Sequence, residues 1–389
     1  MAILIIRGAS VVTETGLEDS LVWVNRATGR IIAPSRADES LEADGLWLYP
    51  GLINAHEHLE FNHYPRSRPQ GRYQNAQHWA HDMTVLHDQE PFMSLRHWPL
   101  EKRCWVGGIK NLMVGATFVA HHNHLHAILK SPPPEFPVRV YQPYGWAHSL
   151  YLTPLWRIIT AYHRTLRGKF FVHLAEGTDG AAQHELRTLQ HWGLLTPKTV
   201  LIHGVGLEGA SSQQAIAKSG GLVWCPSSNL YLLGQTASVK AWYAAGKLAL
   251  GSDSLLTADG TLLDELRAAY QTGQLSAQEL FHSVTAMAAQ VLGMPDRGGI
   301  APGYHADLLA LYPAAHGDPY RALIESEPAQ IAWVMQGGVI RWRQHPQGIA
   351  LWGGIRFQLA EPLAQTLQAL GLAQIVQLGF ELSPGIRPK

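Results

Sequence analysis

The chain has 389 residues, too many for one small core and enough for a barrel of roughly 250 residues with a smaller attached unit. Apolar residues make up 46% and charged residues 15%, which excludes a disordered or low-complexity chain. Lys+Arg and Asp+Glu balance at 30 each, so charge gives no reason to expect a nucleic acid or a membrane surface as partner.

Residues 1–48 read as short strands and turns: Ala2–Ile6, Leu21–Val24 and Arg30–Ile32. The apolar run that opens the chain is interrupted by Arg7, with no small-residue cleavage site after it, and reads as a first strand rather than a signal peptide. From residue 49 to 302 the pattern changes to apolar runs followed by helical stretches. The strand candidates are Leu46–Ile53, Met113–Val119, Val138–Tyr141, Lys169–Val172, Thr199–Ile202, Gly221–Trp224 and Lys247–Leu250. Ser276–Leu292 is expected as one helix, with Ser276 and Glu279 as a capping box and Gly293 as its stop. Its stripe is Leu280, Phe281, Val284, Met287, Ala288 and Val291. Apolar strands alternating with amphipathic helices predict an α/β fold, a (β/α)₈ TIM-like barrel with its parallel strands covered by helices. The strand candidates fall one short of the eight a closed barrel needs. Gly145–Ser149 is the candidate for the missing one, and distortion is expected around the third and fourth strands.

After about 303 strands return, in Ala306–Leu311 and Ile331–Ile340. Residues 1–48 and 303–350 are therefore expected to pair as one composite β-sandwich domain around the barrel of 49–302. Residues 351–389 form a C-terminal extension with a helix over Glu361–Leu370. The segment Phe61–Pro99, rich in His, Arg, Trp and Gln, reads as a long loop of the lid or binding kind. Cys104 and Cys225 are the only cysteines; they cannot build a Cys-rich zinc site and suit a reducing, cytoplasmic setting. No apolar run approaches the about 18–20 residues that cross a bilayer.

The chain carries 21 histidines, and their positions matter more than their number. In Pro50-Gly-Leu-Ile-Asn-Ala-His56-Glu-His58, residues two apart on a strand share a face, so His56 and His58 aim at one point. Neutral imidazole suits Zn²⁺ or Fe²⁺. His173 follows Phe170–Val172, His203 follows Val200–Ile202, and Asp253 follows Leu248–Ser252. Each stands at the carboxyl end of an apolar run, where a barrel assembles its active site. Glu176 leaves the same strand as His173. Taken singly, His203 reads equally as a core histidine and Asp253 as a helix cap; together, a carboxylate and four histidines at strand ends point to a cation.

These stretches resemble the amidohydrolase superfamily, in its branch of cytosine, guanine and S-adenosylhomocysteine deaminases and triazine hydrolases. The resemblance rests on the Pro50–His58 segment, Gly115-Ala-Thr-Phe-Val119, Val172-His-Leu-Ala-Glu-Gly177, Leu201-Ile-His-Gly204, Cys225-Pro-Ser-Ser-Asn-Leu230, Leu250-Gly-Ser-Asp-Ser254 and Ala301–Leu308, in family order. It implies that His56, His58, His173 and Asp253 bind one divalent metal ion, zinc first, with iron or manganese as alternatives. Glu176, His203 and Asp253 would be catalytic: Glu176 moving a proton between water and substrate, His203 beside the attacking water, Asp253 passing a proton to the departing amine. His148, His122 and Arg66 are the candidates for substrate contact, with a supporting hydrogen bond open for His122 and a solvated loop face for Arg66. No lysine stands at a strand's carboxyl end to bridge two ions, which favours a single metal. Cys225 reads as structural, and Asn229 as a support for the site.

The expected activity is hydrolysis of a C–N bond other than a peptide bond, by deamination of a small nitrogen heterocycle. A cyclic-amide, amidase or dehalogenating hydrolase is the alternative on the same scaffold, and a metal-free binding protein the remote one. Relatives make a homodimer plausible.

Overall fold

The computed structural model describes residues 2–348 and 350–374, so the part of the expected extension from 375 to 389 lies outside the described residues. Eight strands form the barrel wall in chain order: Leu52–Glu57, Ala116–His121, Arg139–Val140, Gly145–Ser149, Phe170–Leu174, Thr199–His203, Gly221–Trp224 and Leu248–Leu250. The first three pair in parallel as one sheet and the last five as another. Asp253 bridges in parallel to Glu57 and closes the last strand on the first. Gly145–Ser149 is the missing strand. The wall opens between it and Arg139–Val140, which is only two residues long, so the expected distortion is there.

Period-two alternation divides the strand side chains into two cores. Ile53, Ala55, Phe118, Ala120, Phe171, Val200, Ile202, Val223 and Ala249 fill the barrel interior. Leu52, Ala116, Val119, Val172, Leu201, Leu222 and Leu248 face the helices. The strands are buried on both faces, which is why they read as continuous apolar runs.

The run Leu46–Ile53 is not one strand. Trp47–Pro50 pairs antiparallel with Leu308–Leu311, while Leu52 onward enters the barrel. Gly51 makes the change possible: a Cβ there would lie 2.4 Å from Thr117 Oγ1 and 3.0 Å from the Asp307 backbone. Trp47–Pro50 is thereby built into an eight-stranded sheet drawn from both ends of the chain. Leu4, Ile6, Val22 and Val24 of a second, four-stranded sheet share a core with Leu308, Ala310, Trp333 and Met335 of the first. The hairpin Ala350–Trp352 and Ile355–Leu359, unrecognised in the sequence, extends the larger sheet. Helix Glu361–Ala369 follows as expected.

Ser276–Leu292 is two helices, Ala277–Ser283 and Ala286–Leu292, rather than one. The capping box at Ser276 and Glu279 forms, and Gly293 ends the second helix at φ 72°. The apolar stripe missed the break because both halves bury the same face. At the break the Thr285 hydroxyl bonds the Phe281 carbonyl, and the Val284 carbonyl accepts Ile53 N–H at 2.8 Å, anchoring the first barrel strand. The segment 61–99 is likewise more ordered than a loop. Asn75 caps a helix over Ala76–Leu86.

Candidate metal centre and active site

His56 and His58 reach the barrel mouth through a bulge. Asn54 pairs with Val119 but Glu57 with His121, so one extra residue sits between them. Such a bulge re-aims side chains. Ile53 and Ala55 face the interior, and past the bulge His56 and His58 do so while Glu57 turns outward. At the far end of the barrel wall, Gly251 allows the last strand to touch the first: a Cβ would meet His56 Cβ at 2.5 Å. That contact sets Asp253 beside both imidazoles.

Four donor atoms converge. His173 Nε2 lies 3.3 Å from His56 Nε2. Asp253 Oδ1 lies 3.5 Å from His56 Nε2 and 3.6 Å from His58 Nε2. Ligands about 2.1 Å from a tetrahedral zinc ion stand about 3.4 Å from one another. Three imidazoles and one carboxylate with these spacings fit a divalent ion of the zinc type. The other oxygen of Asp253 is fixed by Ser228 Oγ at 2.7 Å and Thr257 Oγ1 at 2.8 Å, which aims Oδ1 at the cluster.

The electrostatics agree. Burial, reinforced by His122, His203 and His56, pushes His173 well below the usual histidine range; burial, reinforced by His56, lowers His58 to about 3. Both rings are therefore neutral, as ligands must be. Burial alone would raise Asp253, but the imidazoles of His56, His58 and His203 outweigh it and hold the carboxyl well below its usual range.

His203 and Glu176 complete the mouth. Ala175, His203 and Asp253 are the non-glycine residues with positive φ among the described residues, at 54°, 72° and 54°. All three belong to this site, where such strain is concentrated in order to aim side chains. By alternation His203 would point away from the interior; its left-handed backbone swings the ring back. Its Nδ1 meets Asn229 Nδ2 at 2.9 Å, leaving Nε2 without a hydrogen-bond partner among the described residues, 3.5 Å from Glu176 Oε2. Burial first, then Asp253 and Glu185, drive Glu176 well above the usual carboxyl range. Glu185 also accepts Ala175 N–H at 2.6 Å and secures the turn that carries Glu176.

The other expected contacts divide. His148 stacks 5.7 Å from His58 and lines the cavity above the cluster. His122 does not line that cavity. Its Nε2 bonds the Ala147 carbonyl at 2.9 Å, across the gap beside the short third strand, while one of its nitrogens lies within 4.8 Å of donors from His56, His58 and His173. Arg66 does not reach the site. It pairs with Asp259, donates to the Thr257 carbonyl at 3.0 Å and sits 3.8 Å over the Tyr231 ring. An arginine so satisfied has no free fork for a substrate. Cys225 is fully buried, and burial lifts its thiol well above the usual range, so it is no nucleophile.

A cavity of about 290 Å³ opens over Glu176, His173 and Asp253. Phe61, Tyr64, Trp79 and Met83 from the 61–99 segment form one wall of it. No lysine or arginine lines it among the described residues.

The supporting layer was missed in the sequence. Glu57, between the two histidines, pairs with Lys110 at 2.8 Å and accepts from Asn62, Asn111 and Ser252. Both charged groups are buried. Two signals were available: Glu57 had to face away from His56 and His58, and Lys110 and Asn111 interrupt a helical stretch from Cys104 to Met113 whose other residues are apolar or glycine.

Residues 166–341, which carry His173, Glu176, His203 and Asp253, match the model of the amidohydrolase family. The chain is 31% identical over 159 residues to guanine deaminase of Escherichia coli (strain K12), covering 37% of the chain and 36% of the relative. It is 34% identical over 128 residues to the 5-methylthioadenosine/S-adenosylhomocysteine deaminase of Haloquadratum walsbyi, covering 30% of the chain and 29% of the relative. The matched stretches thus span about a third of those relatives' lengths. The fold extends further. Atrazine chlorohydrolase from Arthrobacter aurescens TC1, solved in complex with zinc, superposes with a TM-score of 0.70 at 18% identity, over 87% of this chain and 95% of that chain.

Proposed function

We propose that this chain is an amidohydrolase that hydrolyses an exocyclic C–N bond of a small, uncharged nitrogen heterocycle, releasing ammonia or an amine. The observation that carries the reading is the meeting of His56, His58, His173 and Asp253 at 3.3–3.6 Å beneath a cavity that also presents Glu176. These four residues would hold one ion, zinc before iron or manganese. Such an ion, when bound, acidifies water toward neutral pH and supplies the nucleophile.

The chain's own groups do the rest. Glu176, whose raised proton affinity suits exchange near neutrality, takes the proton of the attacking water and delivers it to the ring nitrogen beside the attacked carbon. His203, oriented by Asn229, donates from Nε2 to the developing charge. Asp253, steadied by Ser228 and Thr257, takes the second proton of the attacking water and passes it to the departing amine. Phe61, Tyr64, Trp79 and Met83 supply flat apolar surface for a ring. The absence of a cationic side chain among the described lining residues disfavours a phosphate or carboxylate substrate.

The relatives named for guanine and for 5-methylthioadenosine/S-adenosylhomocysteine deamination support the reaction class. The test is a screen of purines, pyrimidines, pterins and triazines for ammonia release, with His173→Ala as the blank. Ammonia release by the native protein alone supports deamination. Turnover of a chlorotriazine with chloride but no ammonia would replace it with the dehalogenating alternative. No turnover in a metal-loaded protein would overturn both.

A further inference from the structure

A second group of metal-binding side chains lies outside the barrel interior. Glu60 stands on the short turn Leu59–Phe61 just after His58, His121 ends the second barrel strand, and His126 precedes the helix Ala127–Lys130. One ligand atom from each lies within 4.8 Å of the others. None of the three lines the cavity of the barrel mouth. By strand alternation His121 points away from the interior that receives Ala120 and His122.

The hydrogen bonds leave this group short of positive charge. The carbonyl of His124 lies 3.3 Å from His121 Nε2, and a carbonyl can only accept, so that nitrogen carries the proton. His121 Nδ1 is then a lone pair, and it receives the Leu59 N–H at 3.4 Å. Yet Nδ1 faces Glu60 Oε2 at 3.7 Å, beyond hydrogen-bond reach. Glu60 Oε2 is buried and has no hydrogen-bond partner among the described residues. The other oxygen of Glu60 accepts from Asn123 Nδ2 at 2.6 Å and lies 3.7 Å from His126 Nε2. Two acceptors face each other without a proton between them, and one of them, His121 Nδ1, is met only by the long 3.4 Å Leu59 contact that an ion would replace. With a third ring alongside, this is the arrangement a cation resolves.

We propose that Glu60, His121 and His126 bind a second divalent ion of the zinc class, with a structural role. Two imidazoles and a carboxylate form a borderline donor set suited to Zn²⁺, and His126, with its side chain 19% exposed, leaves solvent access for a fourth ligand. The ion would pin the loop after the second strand to the turn that follows His58 and carries Phe61 into the cavity wall. This site does not depend on the proposed activity.

The test is metal content of the full-length protein after zinc loading and gel filtration. The expected result is two zinc ions per chain in the native protein, one in His126→Ala and one in His173→Ala. If His126→Ala carries as much zinc as the native protein, the second site does not exist, whatever His173→Ala does. If His173→Ala alone retains the native content, the barrel-mouth reading fails and this one stands. Should His126→Ala fold poorly, anomalous diffraction of native crystals at the zinc edge decides: a peak between Glu60, His121 and His126 supports the site, and its absence with zinc at the barrel mouth overturns it.

Discussion

Glu57 and Glu176 are carboxyls of the same site with opposite surroundings. Glu57 faces outward from the bulged strand and is saturated by Lys110, Asn62, Asn111 and Ser252. Glu176 faces the mouth, where His173 Nδ1 and His203 Nε2 stand 3.6 Å and 3.5 Å away, too far to lock it. A carboxylate whose acceptor sites are filled can only hold structure. One held in place by its backbone, with its proton affinity raised by burial and neighbouring acids, can exchange a proton. The outer layer is rigid so that the inner one can be left incomplete.

The sharpest way to break this contrast is Glu176→Gln. It should lower kcat by about 10²–10⁴-fold, as expected for loss of a general acid–base, with melting temperature and zinc content unchanged; steady-state ammonia release and metal analysis check it. Lys110→Met should do the reverse. Stranding the buried Glu57 charge should destabilise the fold by about 3–5 kcal/mol in urea denaturation. Adding Glu57→Gln should recover much of the loss, and no recovery would mean that the lysine acts by packing alone.

A third prediction concerns pH. Glu265, buried and hydrogen-bonded by Ser227, is raised to about 8 by burial, opposed by the Ser227 bonds. Its folded-state pKa lies above the unfolded value, so the native state binds the proton more tightly. Its contribution is complete below the unfolded pKa and is lost as pH rises through about 8. The slope is up to about 1.4 kcal/mol per pH unit in that window. Thermal unfolding across pH 5–9 should show the decline, and Glu265→Gln should flatten it. The smallest effect is expected for Asn229→Ala, which frees His203 to rotate: kcat/KM should fall about 10–100-fold, as for other groups that orient a site residue, without loss of zinc.

Much of the inner layer was legible in the sequence. His56, His58, His173, His203 and Asp253 each follow an apolar run, and a strand buried on both faces is what such a run encodes. What escaped notice were features decided by partners remote in sequence. The Asn54–Glu57 bulge depends on the register against Val119 and His121, and the break after Val284 serves a single carbonyl that Ile53 needs. Arg66 looked available because Asp259 and Tyr231, which occupy it, lie far along the chain. The pairing of Glu57 with Lys110 stayed hidden because a charge in a helix reads as solvated until the neighbouring layer is known. The short strand Gly145–Ser149 was visible only as a candidate, since its register depends on Phe170–His173.

The junction at Gly51 ties the flanking sheet to the chemistry. A single uninterrupted path runs from Trp47, paired with Leu311 of the returning strands, through a residue with no room for a side chain, into His56. There is no slack in it to absorb a displacement. Trimming or grafting the flanking strands should therefore register at the histidines as a loss of alignment, the returning sheet acting as a clamp on the edge that carries them.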